Sequence, residues 1–359
     1  MPGIVVTGWR YPRPVDAMEE ALVSPSGTET TDTTETAPAE AMARLEPYRT
    51  ELTAYCYRML GTPFEADDAV QEALTRAWRA LDRFEGRSSL RSWLYRIATN
   101  VCFDHLDGRK RRALPIDLGP ANRFDQGIGS PLPESTWVLP VPDARVVPAA
   151  ADPAEQAAVR ESVRLAFVAA LQHLPPRQRA VLVLREVLRF EATEVAELLD
   201  TTVASVNSAL QRARATLGRD DLVPSTDVGS LDAEHRALLD RYEDAFLRYD
   251  VEALVALLHE DATLTMPPFA FWLQGAQEAG RFWLSPEPAK CRNSRLSPVE
   301  VNGQPGYAQY KPSADGSRHE AWCLQVVQVG GGVVERIDYF LDTPTVFPLF
   351  GLPLVWPGD

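Results

Sequence analysis

The sequence predicts a multidomain chain of two all-α helical modules, the second ending in a helix-turn-helix, followed by an α+β domain. Three observations carry that prediction. Apolar residues recur with helical period on both sides of a long Pro/Gly-rich break, a helix–tight turn–helix spacing ends the second run, and strand-like runs appear only in the last third. At 359 residues the chain is also too long for one ordinary core, and its 45% hydrophobic and 24% charged fractions are those of a globular protein.

Residues 1–41 contain the tract TETTDTTETAPAE, which holds too little apolar area to order itself and is expected to be a disordered tail, with Met42 a plausible alternative start. The first module spans 42–112. One helix places Val70, Ala73, Leu74, Ala77, Trp78 and Leu81 on a single stripe, and a second carries Leu90, Trp93, Leu94, Ile97, Ala98 and Val101. Residues 113–152 are rich in Pro and Gly and have no period, so they read as a linker separating two modules. The second module, 153–219, closes with a helix over 191–199, a turn over 200–202 and a helix over 203–217. A polar joint follows, then a helix over 231–249 and strands over 262–266, 320–329 and 333–341.

The net charge of -14 argues at first against a nucleic-acid partner, but the charge is segregated. Between Arg76 and Arg112 the residues Arg76, Arg79, Arg83, Arg87, Arg91, Arg96 and the run Arg109–Lys110–Arg111–Arg112 face only four acids. The acid excess lies in the tail and after Asp220. No stretch approaches the roughly 20 apolar residues of a membrane span, and the first residues are not a secretory signal, so the expected place is the cytoplasm, away from membranes. Cys56, Cys102, Cys291 and Cys323 are scattered, without zinc-ligand spacing; buried thiols are expected, with no disulfide, metal or cofactor.

In the helix-turn-helix, Val195, Ala196 and Leu199 are expected to pack on Val206, Leu210 and Leu217, with Thr202 capping the second helix. Ala204, Ser205, Ser208, Gln211 and Arg212 then form the outer face. Small residues permit close approach to a major groove, Gln pairs with adenine, and Arg pairs with guanine or phosphate. Arg177 and Arg179 are placed to hold phosphates and set register. An ordinary helical hairpin with a solvated face shows the same spacing.

In the first module Asp67, Asp68, Gln71 and Glu72 open a helix opposite its apolar stripe. Carboxylates there either favour the helix dipole or form a docking face for a basic partner. Phe84, Trp93 and Tyr95 alternate with Arg87, Arg91 and Arg96, a mixture suited to stacking unpaired bases and neutralising their backbone. Trp93 falls on the apolar stripe and reads as core, whereas Phe84, Arg87, Ser88 and Ser89 fall in the loop between helices.

The segments DDAVQEALTRAWR and FEGRSSLRSWLYRIATNVCFDHL resemble region two of the sigma-70 family, extracytoplasmic-function group; LPPRQRAVLVLREVLRFEATEVAELLDTTVASVNSALQRAR resembles its region four. The resemblance covers 43–217 in the right order and implies a transcription initiation factor with no catalytic residues of its own. It implies that Asp67, Asp68, Gln71 and Glu72 meet the β′ clamp helices of core RNA polymerase, with the β flap a further polymerase contact. Phe84, Arg87, Ser88, Ser89, Arg91, Arg96 and Asn100 would melt and read the minus-ten element. Arg177, Arg179, Ser205, Ser208, Gln211 and Arg212 would bind the minus-thirty-five element, and the linker would thread toward the active-site cleft. The sequence departs from the family at RFEAT, where a Gly is usual, and in the length of the linker.

Residues 229–345 resemble the SnoaL-like, NTF2-like fold, a cone-shaped α+β domain with an apolar pocket. Fused to a sigma factor, such a domain implies regulation in place of a separate anti-sigma protein. Tyr242, Phe246, Trp272, Phe282 and Trp322 are its candidate pocket residues for a small-molecule ligand, although aromatics at these spacings also suit a core. His259, Asp261 and Asp338 are the groups that could act as a base, each with a plain structural reading, and the domain is expected to be non-catalytic. The apolar segment 346–359 is expected to dock on a surface. The charge segregation leads us to expect that the acidic C-terminal domain restrains the basic modules. A helix-turn-helix regulator with a ligand-sensing domain explains less, because it leaves the Phe64–Arg112 module idle.

Overall fold

The computed structural model describes residues 41–218 and 233–358; residues 1–40 of the expected tail, the polar joint at 219–230 and the first two residues of the expected helix over 231–249 lie outside the described residues. The first module consists of α1 (Arg49–Leu60), α2 (Pro63–Ala80) and α3 (Leu90–Leu106). Gly61 ends α1 in the left-handed conformation, Pro63 starts α2 where a missing N–H costs nothing, and Ser89 caps α3 by accepting from Ser92 N. Ala66, Ala69, Val70, Ala73, Leu74 and Ala77 form the buried stripe of α2. Trp78, expected on that stripe, lies at its edge and is 40% exposed.

The linker is not a loose spacer. Trp137, Val138, Val141 and Val146 are buried to 1% exposure or less, and the segment includes the short helix α4 (Asp143–Val146). Arg112 ties its start down by donating to the carbonyls of Glu134 and Trp137 and to the Glu65 carboxylate. An apolar run buried on several sides has no period to betray it.

The second module is built from α5 (Pro153–Val163), α6 (Leu165–Gln172), α7 (Pro176–Leu182), a π turn over Val183–Val187, α8 (Ala192–Leu198) and α9 (Val203–Leu217). Thr202 caps α9 through Ser205 N, as its position predicts. Leu198, rather than Leu199, supplies the buried leucine of α8.

The α+β domain begins with α10 (Ala233–Arg248) and α11 (Val251–Leu257), followed by β1 (Leu258–Thr265), β2 (Trp272–Gln274) and α12 (Ala276–Trp283). The strands β3 (Arg295–Val301), β4 (Gln304–Pro312), β5 (His319–Gly330) and β6 (Val333–Phe340) complete one sheet of order β2-β1-β6-β5-β4-β3. The β1–β6 pair is parallel and the others are antiparallel. Alternation along β6 sends Ile337 and Tyr339 to the face covered by α10–α12, and Asp338 and Phe340 to the other. On that second face lie α13 (Thr343–Val346) and the closing segment, where Phe347 and Trp356 both meet the Tyr310 ring edge-on at 5.4 and 5.1 Å. Val301, Ala308, Leu324 and Phe340 of this face belong to one continuous apolar cluster with both helical modules. No helix among the described residues is long and apolar enough to cross a membrane.

Candidate promoter and polymerase interface

The amphipathic period of α2 leaves Asp67, Asp68 and Gln71 exposed and Glu72 half-buried on one side of the helix. Glu72 pairs with Arg76 at 2.5 Å, and Arg145 of α4 reaches across to Asp67 at 2.6 Å. Partial burial raises the Asp67 carboxyl above its usual range; Arg145 opposes that shift and Asp68 adds to it.

Arg87, Ser88 and Ser89 are exposed in the loop between α2 and α3, and Arg96 and Asn100 are exposed on α3. Phe84 is half-buried, with its ring 5.0 Å from that of Trp93. Arg91 lies elsewhere. It pairs with Glu51 at 2.9 Å, and its guanidinium stacks over Tyr95 at 5.1 Å and Phe190 at 4.8 Å. Tyr95 and Phe190 meet edge-on at 5.3 Å. Phe190 immediately precedes the helix-turn-helix, so this stack joins the two helical modules directly. Arg189, at φ 60, holds the left-handed position just before the buried Phe190.

On α9, Ser205, Gln211 and Arg212 are exposed; Ser208 is half-buried and accepts from Arg212 at 2.7 Å. Arg177 is exposed at the start of α7. Arg179 corrects the sequence-based expectation of a phosphate contact: it is 3% exposed and donates to the Met59, Gln172 and Leu174 carbonyls. Burial lowers its pKa to about 10. Arg179 falls on the inner side of α7, where its fork satisfies carbonyls of both helical modules.

The third contact among modules is a hairpin tip. Asn302 and Gly303, at φ 54 and 69, form the two-residue turn between β3 and β4, the left-handed pair that a tight hairpin requires. Asn302 is 0% exposed. Its Nδ2 donates to Tyr57 Oη and to the Val163 carbonyl, both at 2.7 Å, while its Oδ1 accepts from Val141 N at 2.9 Å. Tyr57 in turn donates to the Leu139 carbonyl at 2.8 Å. Gly303 N donates to Asp143 Oδ1 at 2.7 Å. A Cβ on Gly303 would stand 2.3 Å from the Arg160 carbonyl oxygen, so the approach admits no side chain. One side chain thus joins α1, the linker, α5 and the β-sheet, with its hydrogen-bonding groups satisfied.

Comparison with known proteins places these modules. A Sigma-70 region 2 model matches residues 45–112, and a Sigma-70, region 4 model matches 164–217. The ECF RNA polymerase sigma factor SigG of Mycobacterium tuberculosis is 43% identical over 360 aligned residues, spanning 98% of this chain and 95% of its own. The chain belongs to the extracytoplasmic-function RNA polymerase sigma factors. SigJ of the same organism is 29% identical over 82% of the chain and 89% of its own length. The crystal structure of SigJ shares the fold with a TM-score of 0.59 at 24% identity, covering 87% of this chain and 99% of that one. Sigma factors bind core RNA polymerase and promoter DNA to begin transcription. The region-two match accounts for the module that a repressor would leave idle.

In the C-terminal domain of this sigma factor, the Tyr242 and Phe246 rings lie 6.1 Å apart. Tyr242, Phe246, Trp272 and Phe282 are buried to 8% exposure or less, and Trp322 is half-buried under the Lys311 amine. Tyr242 donates to Gln325. Trp272 faces the linker: its indole donates to the Gly119 carbonyl at 2.9 Å and its backbone pairs with Asn122. Tyr242, Phe246 and Phe282 belong to the apolar cluster between the sheet and α10–α12. His259 and Asp261 are exposed, whereas Asp338 is buried on the opposite face from α10–α12, bound by Arg336 at 2.8 Å and by Thr265.

The sequence reading missed Phe190, Asp143, Arg145, Asn302 and Gly303. An Asn-Gly pair between two extended runs is a hairpin signal in its own right, but nothing in one sequence names what the tip touches.

Proposed function

We propose that this chain is an alternative sigma factor held in a closed arrangement by its own C-terminal domain. In the open form it docks on the β′ clamp helices through Asp67, Asp68, Gln71 and Glu72. Region four then engages the β flap and the minus-thirty-five element through Arg177, Ser205, Ser208, Gln211 and Arg212. The loop 84–89, with Arg96 and Asn100, reads the minus-ten element once Arg91 is released from Phe190. The C-terminal domain acts as a brace, without catalysis and in the cytoplasm; a small-molecule ligand remains its candidate signal.

The observation that carries this reading is the direct packing of region two on region four, closed by Asn302. The two promoter elements lie roughly 25 base pairs apart, about 85 Å of duplex at ~3.4 Å per pair. Modules joined by a ring contact of 5.3 Å cannot occupy both at once. Opening must therefore precede or accompany promoter binding.

The brace rests on the buried Asn302 amide, which bonds the Tyr57 hydroxyl, the Val163 carbonyl and the Val141 N–H.

Run-off transcription with core polymerase on a promoter library tests the reading. Full-length protein should give sequence-defined starts, and Asn302→Ala should give more product at equal protein. Equal output from both would mean that the hairpin tip is not a brace. Removing the whole domain is a poorer test, because it strips Val301, Ala308 and Phe340 from the shared apolar cluster.

A further inference from the structure

The helix α4 is only four residues long and cannot hold its own shape, so its position comes from its neighbours. Val146 is fully buried, and the Asp143 carboxylate is fixed by Gly303 N and by Arg160 at 3.4 Å. Arg145, between these two anchors, projects onto Asp67 at 2.6 Å. Asp67 belongs to the acidic face that the proposed function assigns to core polymerase, next to a shallow groove lined by Asp68, Gln71, Glu72, Thr75, Arg76 and Arg79.

We propose that α4 is an internal competitor for core RNA polymerase, with Arg145 standing in for the basic partner that the α2 face recognises. The inference rests on the reading of that face as the polymerase contact. The hairpin tip then acts at two places: it ties regions two and four together, and through Gly303 and Asp143 it keeps Arg145 over Asp67. A polymerase that engages Asp67 must displace Arg145, and so must loosen the segment that the hairpin holds. Docking and unlatching are thereby coupled in both directions, since each favours the state that the other requires. The groove over Asp68–Arg79 stays open in the closed form, so a first encounter can begin there while Asp67 is still paired with Arg145.

Equilibrium binding of full-length labelled protein to core polymerase, without DNA, tests the proposal. Loss of a half-exposed ion pair predicts that Arg145→Ala binds about two- to five-fold more tightly than wild type, and that Arg145→Lys binds like wild type. The gain should vanish when the same substitution is made in an Asp67→Asn background, because it acts through that carboxylate. Arg145→Ala binding no more tightly than wild type overturns the competitor, and so does a gain that survives in Asp67→Asn. Arg145 is surface-placed, and an unchanged thermal midpoint confirms that the variant is folded. The closed-state reading fails separately: it falls if Asn302→Ala leaves run-off output unchanged, a measurement that does not involve Arg145.

Discussion

Asn302 Nδ2 donates to the Tyr57 hydroxyl across 2.7 Å, so a residue of the β3–β4 turn completes the hydrogen bonding of a tyrosine 245 residues earlier in the chain. Both groups are fully buried. Burial pushes the Tyr57 pKa up, and the amide partly offsets that shift. Neither group can turn to water while the hairpin is seated, so the bond is either made or expensive to break.

Asn302→Ala leaves the Val141 N–H and the Val163 carbonyl without partners, at about 1–3 kcal/mol for each buried group left unpaired. The cost should fall on the latch before it falls on the cores. Amide exchange read by mass spectrometry should show faster exchange over 139–147, with α2 and β5 still protected. Uniformly faster exchange across all modules would mean that Asn302 serves global stability instead.

The packing of Arg91 over Tyr95 and Phe190 predicts that Phe190→Ala separates the two helical modules. Truncating a buried Phe costs about 3–5 kcal/mol, part of it at this joint. Labels at the exposed positions Arg96 and Gln211 should report a longer, broader distance distribution in the variant. An unaltered distribution would place the hold between modules elsewhere.

The helix-turn-helix and the buried stripe of α2 were legible because each has one wet face and one dry face, which leaves a period in the sequence. The strands β3 and β4 were not: Pro298, Pro305, Gly306 and Pro312 interrupt them, and β3 tolerates its proline as an edge strand. The apolar run from Trp137 to Val147 read as linker because it is buried on several sides at once. Arg179 misled for a related reason. Its charge suggested a phosphate, but only the fold shows that its side of α7 faces the Met59 carbonyl.

Arg177 and Arg179 should therefore behave as opposites. Arg177→Ala should weaken promoter binding and reduce the slope of log affinity against log salt by about one, with an unchanged thermal midpoint. Arg179→Ala removes a buried fork and leaves carbonyls unpaired, so it should lower the midpoint and cost roughly 2–4 kcal/mol. If Arg179→Ala changed the salt slope and left the midpoint alone, the guanidinium would have to face DNA after all.

The Asp143 carboxyl supplies a pH dependence with a definite sign. Burial raises its pKa; the Gly303 N–H and Arg160 pull it down only in part, and Glu300 pushes it further up. The folded state therefore holds this proton more tightly than the unfolded chain does. The contribution is fully present below the unfolded value of about 3.9 and is lost as pH rises through the raised folded value. Asp67 shifts in the same direction, again with burial as the main cause. Mild acid should thus favour the folded chain at both carboxyls. Asp143→Asn keeps an oxygen to accept from Gly303 but cannot titrate. The midpoint of wild type relative to Asp143→Asn should rise as pH falls from about 7 toward about 4.5. A difference that is flat, or that grows as pH rises, would show that the ion pair with Arg160 outweighs burial and that the carboxylate is the favoured form at the latch.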